Sequence, residues 1–458
     1  MSVLSGAELR PVGPVRGLSA GRAYGVPRGA AAIDLFLDGN EGPRPSRLAI
    51  DASRLEDAER IRRYPAAGEL EARLAQRLGV SAGQVLVTAG ADDSLLRICL
   101  ALLGPGRELV LPAPTFEMIP RYASLAESSI VDVPWMGDRY PIEGVLAAIT
   151  PRTALVAVVS PNNPTGAVAT PEDLRRISAA APHAWILLDE AYAEYAREPL
   201  TEVGLALPNV LVVRSLSKAW GLAGLRVGYV VGPEEALSWL RRAGNPYPTS
   251  GPSLALALER LDQADEVLAG VQRATEERRR LAVLLDELGL RPQASQANFL
   301  LVRGASGKSR LCDEPLWIRD GLAAQGIAVR AFPGKERLED AVRISMPCDE
   351  ALFGRLVRAL RLLRSPEAIC VQPELCAAAE LPDRDGLALV EGGPREGSWY
   401  VLDASSDSAL EETRLARSLG ALPVGVTGAA GAESIAELES AGLARCIDDL
   451  NELRNLLP

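Results

Sequence analysis

Histidine is almost missing from this chain: among 458 residues there is one, His183. Imidazole-based zinc sites, a Ser-His-Asp triad and a Cys-His pair all require placed histidines. His183 stands before the apolar run 184–188 and is expected to be a strand-entry residue rather than a catalyst. The six cysteines, Cys99, Cys312, Cys348, Cys370, Cys376 and Cys446, include no Cys-x-x-Cys pair and none has a histidine nearby. They read as buried free thiols, not as a disulfide framework, and no metal site is expected. No apolar run approaches the roughly 20 residues that span a bilayer, so no membrane partner is expected. Positive charge is in deficit, 49 Lys and Arg against 60 Asp and Glu, for a net charge of −11. That argues against nucleic acid as a partner and leaves room for a local basic pocket facing a small acidic ligand. The first 30 residues carry several Arg and one acid, Glu8, without the apolar core of a secretory signal. They are expected to form an arm leading into the fold of a cytoplasmic protein.

What is present is a globular composition, 48 % hydrophobic and 24 % charged, in a chain long enough for two to four domains at roughly 100–200 residues each. From about residue 68 to 240, short runs rich in Val, Leu and Ile (84–88, 108–111, 155–160, 184–188, 210–214, 227–231) alternate with helical stretches such as 69–78 and 92–103. Near-continuous apolar strands between helices predict an α/β fold with a mostly parallel sheet covered on both faces. Ligands in such sheets sit beyond the carboxyl ends of the strands. Residues 254–288 read as helical, 299–302 and 342–345 as strands of a second, smaller domain, and 352–363 as its terminal helix. Residues 365–398, with several Pro and Gly, read as a linker. From 398 a small α/β pattern restarts, with strands at 399–402, 422–426 and near Cys446, helices at 409–419 and 434–441, and a last segment at 451–457.

Four strand ends carry candidate chemistry. Ser215-Leu216-Ser217-Lys218 follows the run 210–214. A lysine directly after a buried strand is unusual, and one partly desolvated can form a Schiff base with a carbonyl cofactor. Ser215 and Ser217 offer hydroxyls to a phosphate, and Arg226 a second positive group. Asp189 ends the run 184–188 and suits a protonated pyridine nitrogen, with Tyr192 placed to donate to a phenolate oxygen. Ser160-Pro161-Asn162-Asn163-Pro164-Thr165-Gly166 builds a rigid turn that projects the Asn163 amide. In Thr88-Ala89-Gly90-Ala91-Asp92, backbone N–H groups at a helix start form an anion site. Each alone is matched by a bland reading, respectively a surface lysine, a helix cap, a tight turn and a generic strand-to-helix turn. Together, in this order and each at a strand end, they supply the contacts pyridoxal 5′-phosphate needs.

SLSKAWGLAGLRVGY at 215–229 resembles the cofactor-lysine signature of the class I/II aminotransferases. SPNNPTG at 160–166 and LLDEAYAEY at 187–195 resemble its companion motifs. LDGNEGP at 37–43, RRYPAAG at 62–68, TAGADDSL at 88–95, APTFEM at 113–118, SQANFLLVR at 295–303 and VRISM at 342–346 are most similar to the histidinol-phosphate aminotransferase branch. The resemblance implies the aspartate-aminotransferase-like fold of type I, with a large part near 65–240 and a small part near 31–60 and 270–364. It implies that Lys218 binds the cofactor and shuttles the proton, and that Asp189 pairs with the ring nitrogen. Asn163 and Tyr192 would bond the phenolate oxygen. Gly90, Ala91, Asp92, Ser215, Ser217 and Arg226 would surround the phosphate, and Phe116 would stack on the ring in a place where Tyr is common. Tyr64 would reach the phosphate of a neighbouring subunit, which implies a homodimer. Arg343 and Arg330 would clamp substrate anions, and Asn40 would sit in a segment that closes over the substrate.

Residues 399–458 resemble the last part of a haloacid-dehalogenase-like domain. Asp403 and Asp407 match its Asp-rich turn, but the Asp-x-Asp nucleophile motif is absent, which implies a degenerate remnant used for packing or regulation. The expected activity is transamination between histidinol phosphate, or a related amino compound, and 2-oxoglutarate. Alternatives are an aminotransferase for aromatic or specialised amino acids, a threonine-phosphate decarboxylase-like lyase, and a non-catalytic cofactor-binding regulator. No basic helix-turn-helix supports the last.

Overall fold

The computed structural model describes residues 14–15, 30–46, 61–304, 315–376, 388–427 and 430–447. The expected arm, apart from residues 14–15 and 30, lies outside them, as do Cys312 and the segment 451–457. The chain divides into two compact units, one of residues 1–25 and 42–271 and one of residues 26–41 and 272–458.

The first unit is built on seven strands: β1 (Val85–Thr88), β2 (Glu108–Ala113), β3 (Ser129–Pro134), β4 (Thr153–Val159), β5 (Trp185–Asp189), β6 (Val210–Ser215) and β7 (Gly228–Val231). Their order in the sheet is β1-β7-β6-β5-β4-β2-β3. The pairs from β6 through β3 are parallel. β7 runs antiparallel to both its neighbours, which brings β1 back into the direction of β6. The six strands expected from apolar runs are present within about two residues. They are buried along almost their whole length, because helices cover a parallel sheet on both faces. β3 was not anticipated. It is the edge strand and mostly half-exposed or exposed, so its side chains do not form an apolar run. Helices α1 (Gly68–Leu78) and α2 (Gly90–Leu102) flank β1 in sequence. Leu95 and Ile98 of α2 share one core with Leu86, Leu155, Leu187, Leu211 and Val230 of the strands.

In the second unit, β8 (Phe299–Arg303), β9 (Arg330–Ala331) and β10 (Ala341–Ser345) form an antiparallel sheet in the order β9-β10-β8, extended by residues Arg291–Pro292. Helices α3 (Pro315–Ala324) and α4 (Glu350–Arg364) follow in the same unit. The early segment Leu35–Phe36 pairs in parallel with Ile327–Ala328, and the Arg355 guanidinium donates to both oxygens of Asp34.

The stretch expected to be a linker is not one. β11 (Ala368–Val371) and β12 (Ala388–Glu391) join β13 (Ser398–Asp403), β14 (Leu422–Val426) and β15 (Arg445–Ile447) in an all-parallel sheet of order β12-β11-β13-β14-β15. Strands of four residues carry too little periodicity to be told from a loop. Helices α5 (Ala409–Ser418) and α6 (Ala432–Ala441) accompany the sheet. This tail shares an aromatic seam with the rest of its unit. The rings of Trp317 on α3 and Trp399 on β13, both fully buried, meet edge to face with centroids 5.5 Å apart. The Trp399 indole N–H donates to the Leu362 carbonyl at 2.7 Å. Ser440 Oγ donates to the carbonyl of Ala30 and Arg417 Nη2 to that of Ala32.

Candidate functional site

Strand direction decides where the candidate residues gather. β4, β5 and β6 are adjacent and parallel, so Asn163, Asp189 and Lys218 emerge at one edge of the sheet, following its carboxyl ends. Since β1 shares their direction, the turn Gly90–Asp92 opens at the same edge, and so does Arg226, which precedes β7. Gly228 marks the junction: it is the register partner of Thr88 on one side and Ser215 on the other. A Cβ at Gly228 would lie 2.5 Å from the Ala91 nitrogen, so only glycine lets β7 approach the start of α2 so closely.

Gly90 has φ +78°, and a Cβ there would meet Arg226 Nη2 at 2.6 Å. The guanidinium therefore lies against the first turn of α2 and donates to Asp92 Oδ2 at 3.0 Å. Backbone amides, a helix N-terminus and a guanidinium combine into an anion cradle. Ser215 and Ser217 are buried, and the Ser217 N–H donates to Ser215 Oγ at 3.1 Å. Thr88 Oγ lies 2.7 Å from Ser94 Oγ and ties the turn to α2.

Asp189 is 4 % exposed, and the Ala191 N–H donates to its Oδ1 at 3.0 Å. Burial pushes its carboxyl up to about 7 from 3.8, against the stabilising N–H of Ala191. A buried carboxyl in that state takes a cationic partner favourably, because the partner offsets the cost of desolvating the anion. Lys218 Nζ is 5.6 Å from the centroid of the buried Tyr192 ring. The main chain of Gly42 presses on the same loop: a Cβ there would fall 1.5 Å from the Lys218 carbonyl oxygen. Phe116 and Asn163 are half-buried. The neighbouring Asn162, wholly buried, braces the turn by donating to the Pro114 carbonyl and Thr165 Oγ1. Tyr64 is 80 % exposed and stacks on Tyr247 with centroids 4.6 Å apart. His183 is exposed at the turn before β5, with Nε2 3.1 Å from the Thr150 carbonyl oxygen.

The remaining candidates belong to the second unit. Arg330 and Arg343 are register partners across β9 and β10 and are 9 % and 6 % exposed. Register partners on paired strands put their side chains on the same face of the sheet, with the Arg330 guanidinium over the Phe332 ring and that of Arg343 over the Phe299 ring. Arg343 Nη2 donates to the Asp38 carbonyl at 2.6 Å. Asn40, at φ +54°, is almost wholly buried. Its Oδ1 accepts from Ser345 Oγ, and Asn298 Nδ2 donates to the carbonyls of Asn40 and Glu41. The segment expected to close over a substrate is thus pinned by β10 and by the residue before β8.

A network that sequence reasoning missed surrounds the lysine loop. Arg214 Nη2 and the Trp220 indole N–H both donate to Glu194 Oε1, at 2.7 and 2.9 Å. Arg214 Nη1 donates to Thr201 Oγ1, and Glu190 accepts from Thr201 Oγ1 and the Leu200 N–H. The signal was visible only as two acids, Glu190 and Glu194, in a stretch otherwise apolar enough to be core.

At Asp403, the Oδ1 accepts from both the N–H and the hydroxyl of Ser405. Among the described residues no His, Cys, Asp or Glu cluster could hold a metal ion. Cys99, Cys348 and Cys370 are buried free thiols, and Cys446 is half-buried.

The family model described as aminotransferase class I and II matches residues 36–360. A protein named aromatic amino acid aminotransferase, from Mycobacteroides abscessus, is 36 % identical over 334 residues, 71 % of this chain and 92 % of that protein. One named histidinol-phosphate aminotransferase, from Akkermansia muciniphila, is 35 % identical over 317 residues, 68 % of this chain and 85 % of that protein. The crystal structure of a histidinol-phosphate aminotransferase from Sinorhizobium meliloti in complex with pyridoxal-5′-phosphate matches with a TM-score of 0.64. It is 27 % identical and covers 72 % of this chain and 90 % of that one.

Proposed function

Because the chain belongs to the class I and II aminotransferases, pyridoxal-phosphate-dependent enzymes with the aspartate-aminotransferase-like fold of type I, we propose that it moves an amino group between histidinol phosphate and 2-oxoglutarate. The fit of the cofactor to these residues is supported by three observations: the anion cradle at Gly90, the buried Asp189 carboxyl, and Lys218 beside the Tyr192 ring. When bound, pyridoxal phosphate supplies an aldehyde that captures amines and a ring that withdraws electrons from them.

In this reading, Lys218 would hold the aldehyde carbon through Nζ and, when free, would move the proton of the donor carbon that bears nitrogen. Asp189 would pair with the ring nitrogen, Asn163 and Tyr192 would donate to the ring oxygen, and Phe116 would cover the ring face. The N–H groups of Gly90, Ala91 and Asp92, the hydroxyls of Ser215 and Ser217 and the Arg226 guanidinium hold the phosphate. Tyr64 reaches the phosphate of the second copy in a cytoplasmic homodimer. Arg343 and Arg330 bind the substrate anion, and Asn40 lines the substrate side. Residues 42–271 form the large part, and 26–41 and 272–364 the small part, which shares its compact unit with residues 365–458.

The observation that carries the substrate is the Arg330–Arg343 pair, since a phosphate monoester and 2-oxoglutarate each bring two negative charges. A second reading, an aromatic amino acid as donor, is favoured by the name of the relative from M. abscessus. The test is the visible absorption band of the purified protein under single amino donors. Bleaching by histidinol phosphate and not by phenylalanine supports the first reading, and bleaching by phenylalanine alone supports the second. Lys218→Ala should remove the band. If the wild type shows no band when loaded with pyridoxal phosphate, the cofactor reading fails.

A further inference from the structure

We propose that Glu194 is a positioning residue that sets where the Lys218 amine points; this rests on the reading of Lys218 as the residue that bonds the cofactor. Lys218 lies in a loop flanked by Arg214, the penultimate residue of β6, and by Trp220. A single oxygen, Glu194 Oε1, accepts from both flanks, at 2.7 Å from Arg214 Nη2 and 2.9 Å from Trp220 Nε1. The carboxylate closes the loop as a staple would, four residues before the lysine and two after it.

Glu194 is also two residues beyond Tyr192, whose ring faces Lys218 Nζ. The staple therefore fixes the lysine and that ring in one frame. Further contacts brace the frame. Arg260 Nε donates to the Trp220 carbonyl at 2.9 Å, and the Arg77 guanidinium lies 5.3 Å from the Trp220 ring centroid. Thr201 Oγ1 accepts from Arg214 and donates to Glu190, the residue directly after Asp189. The Arg214 and Glu194 side chains are 12 % and 16 % exposed. At that burial a charge-assisted hydrogen bond is strong and its geometry is kept. A carboxylate engaged from both flanks resists rotation of the loop, whereas a bond to one flank leaves the other free to swing.

Forming the resting bond requires the neutral Lys218 amine to add to the cofactor aldehyde, with one water leaving as the carbon–nitrogen double bond forms. Glu194 touches none of these atoms. It acts by placing the amine. Displacing a reacting group by about 1 Å costs up to roughly 100-fold in rate.

The test compares wild type with Glu194→Gln, which keeps shape and an acceptor but loses the charge facing Arg214, and with Trp220→Phe, which removes one flank's donor. Two cofactor forms separate the contributions. Pyridoxamine phosphate fills the cradle without bonding Lys218, and 5′-deoxypyridoxal lacks the phosphate and depends on that bond. Glu194→Gln is expected to weaken formation of the visible band with 5′-deoxypyridoxal by about 10-fold or more and to lower kcat by roughly 10–100-fold. Pyridoxamine phosphate affinity and KM should stay within about threefold. Trp220→Phe should show the same pattern at smaller size. If both variants capture 5′-deoxypyridoxal as wild type does, or if the two ligands weaken in parallel, Glu194 is a structural ion pair only and the proposal falls. If wild type itself binds pyridoxamine phosphate but forms no band with either aldehyde, the reading of Lys218 falls instead.

Discussion

Replacing Trp399 by Ala tests whether the tail is an appendage or part of the second unit's framework. The indole is fully buried, packs edge to face on Trp317 at 5.5 Å and donates to the Leu362 carbonyl on α4. Truncating a buried Trp costs about 3–5 kcal/mol, and the Leu362 carbonyl loses a partner worth about 1 kcal/mol. In a unit of this size each kcal/mol moves the midpoint by about 2–4 °C, so a fall of at least roughly 8 °C is expected. Scanning calorimetry should show it in the transition that carries residues 272–364, and a protease should cut within α3 or α4 at lower temperature in the variant. The reasoning is refuted if the tail melts in a separate, smaller transition that alone moves, or if the midpoint shifts by less than about 2 °C. The same logic predicts that a chain ending at residue 364 exposes Trp317 and is recovered as aggregate.

Two further outcomes follow from local geometry. Glu277 is buried, one oxygen accepts the Cys348 N–H, and the other has no hydrogen-bond partner among the described residues. Burial pushes its carboxyl up to about 7 from 4.5. The unfolded chain gives up that proton first, so stability is intact below about 4.5, falls as pH rises towards 7 and then levels, a loss on the order of 3 kcal/mol. Glu277→Gln should remove that slope, so its midpoint relative to wild type should rise between pH 5 and pH 8; an unchanged difference would contradict the assignment. Gly42→Ala would drive a methyl group into the Lys218 carbonyl. The variant is expected to lose about 2 kcal/mol or more and to retain less pyridoxal phosphate on gel filtration, whereas wild-type retention would count against the close approach.

The parts of the site legible in the sequence are those where chemistry and backbone are written side by side. Lys218 follows its strand directly, Asp189 ends its own, and Gly90 supplies a left-handed turn within three residues of Asp92. A parallel sheet turns such local facts into a shared edge. What was not legible depends on partners distant in sequence. Glu194 finds Trp220 26 residues away, and Asn40 is held by Ser345 305 residues away. No local pattern announces either. β3 was missed because an edge strand has no need of an apolar run, and β11 and β12 because four residues hold too little of any period.

The second unit is assembled from both flanks of the first. Residues 34–41 pair with or are held by Gly326, Ala328, Asn298 and Ser345, and Ala30 and Ala32 accept hydrogen bonds from Ser440 and Arg417 near the other end. On the ribosome, residues 42–271 emerge as an uninterrupted stretch that can fold while synthesis continues. The earlier segment must wait, its apolar residues Leu35 and Leu37 uncovered, until residues beyond 330 have appeared. A chaperone that binds short apolar stretches would find its target in this nascent chain there.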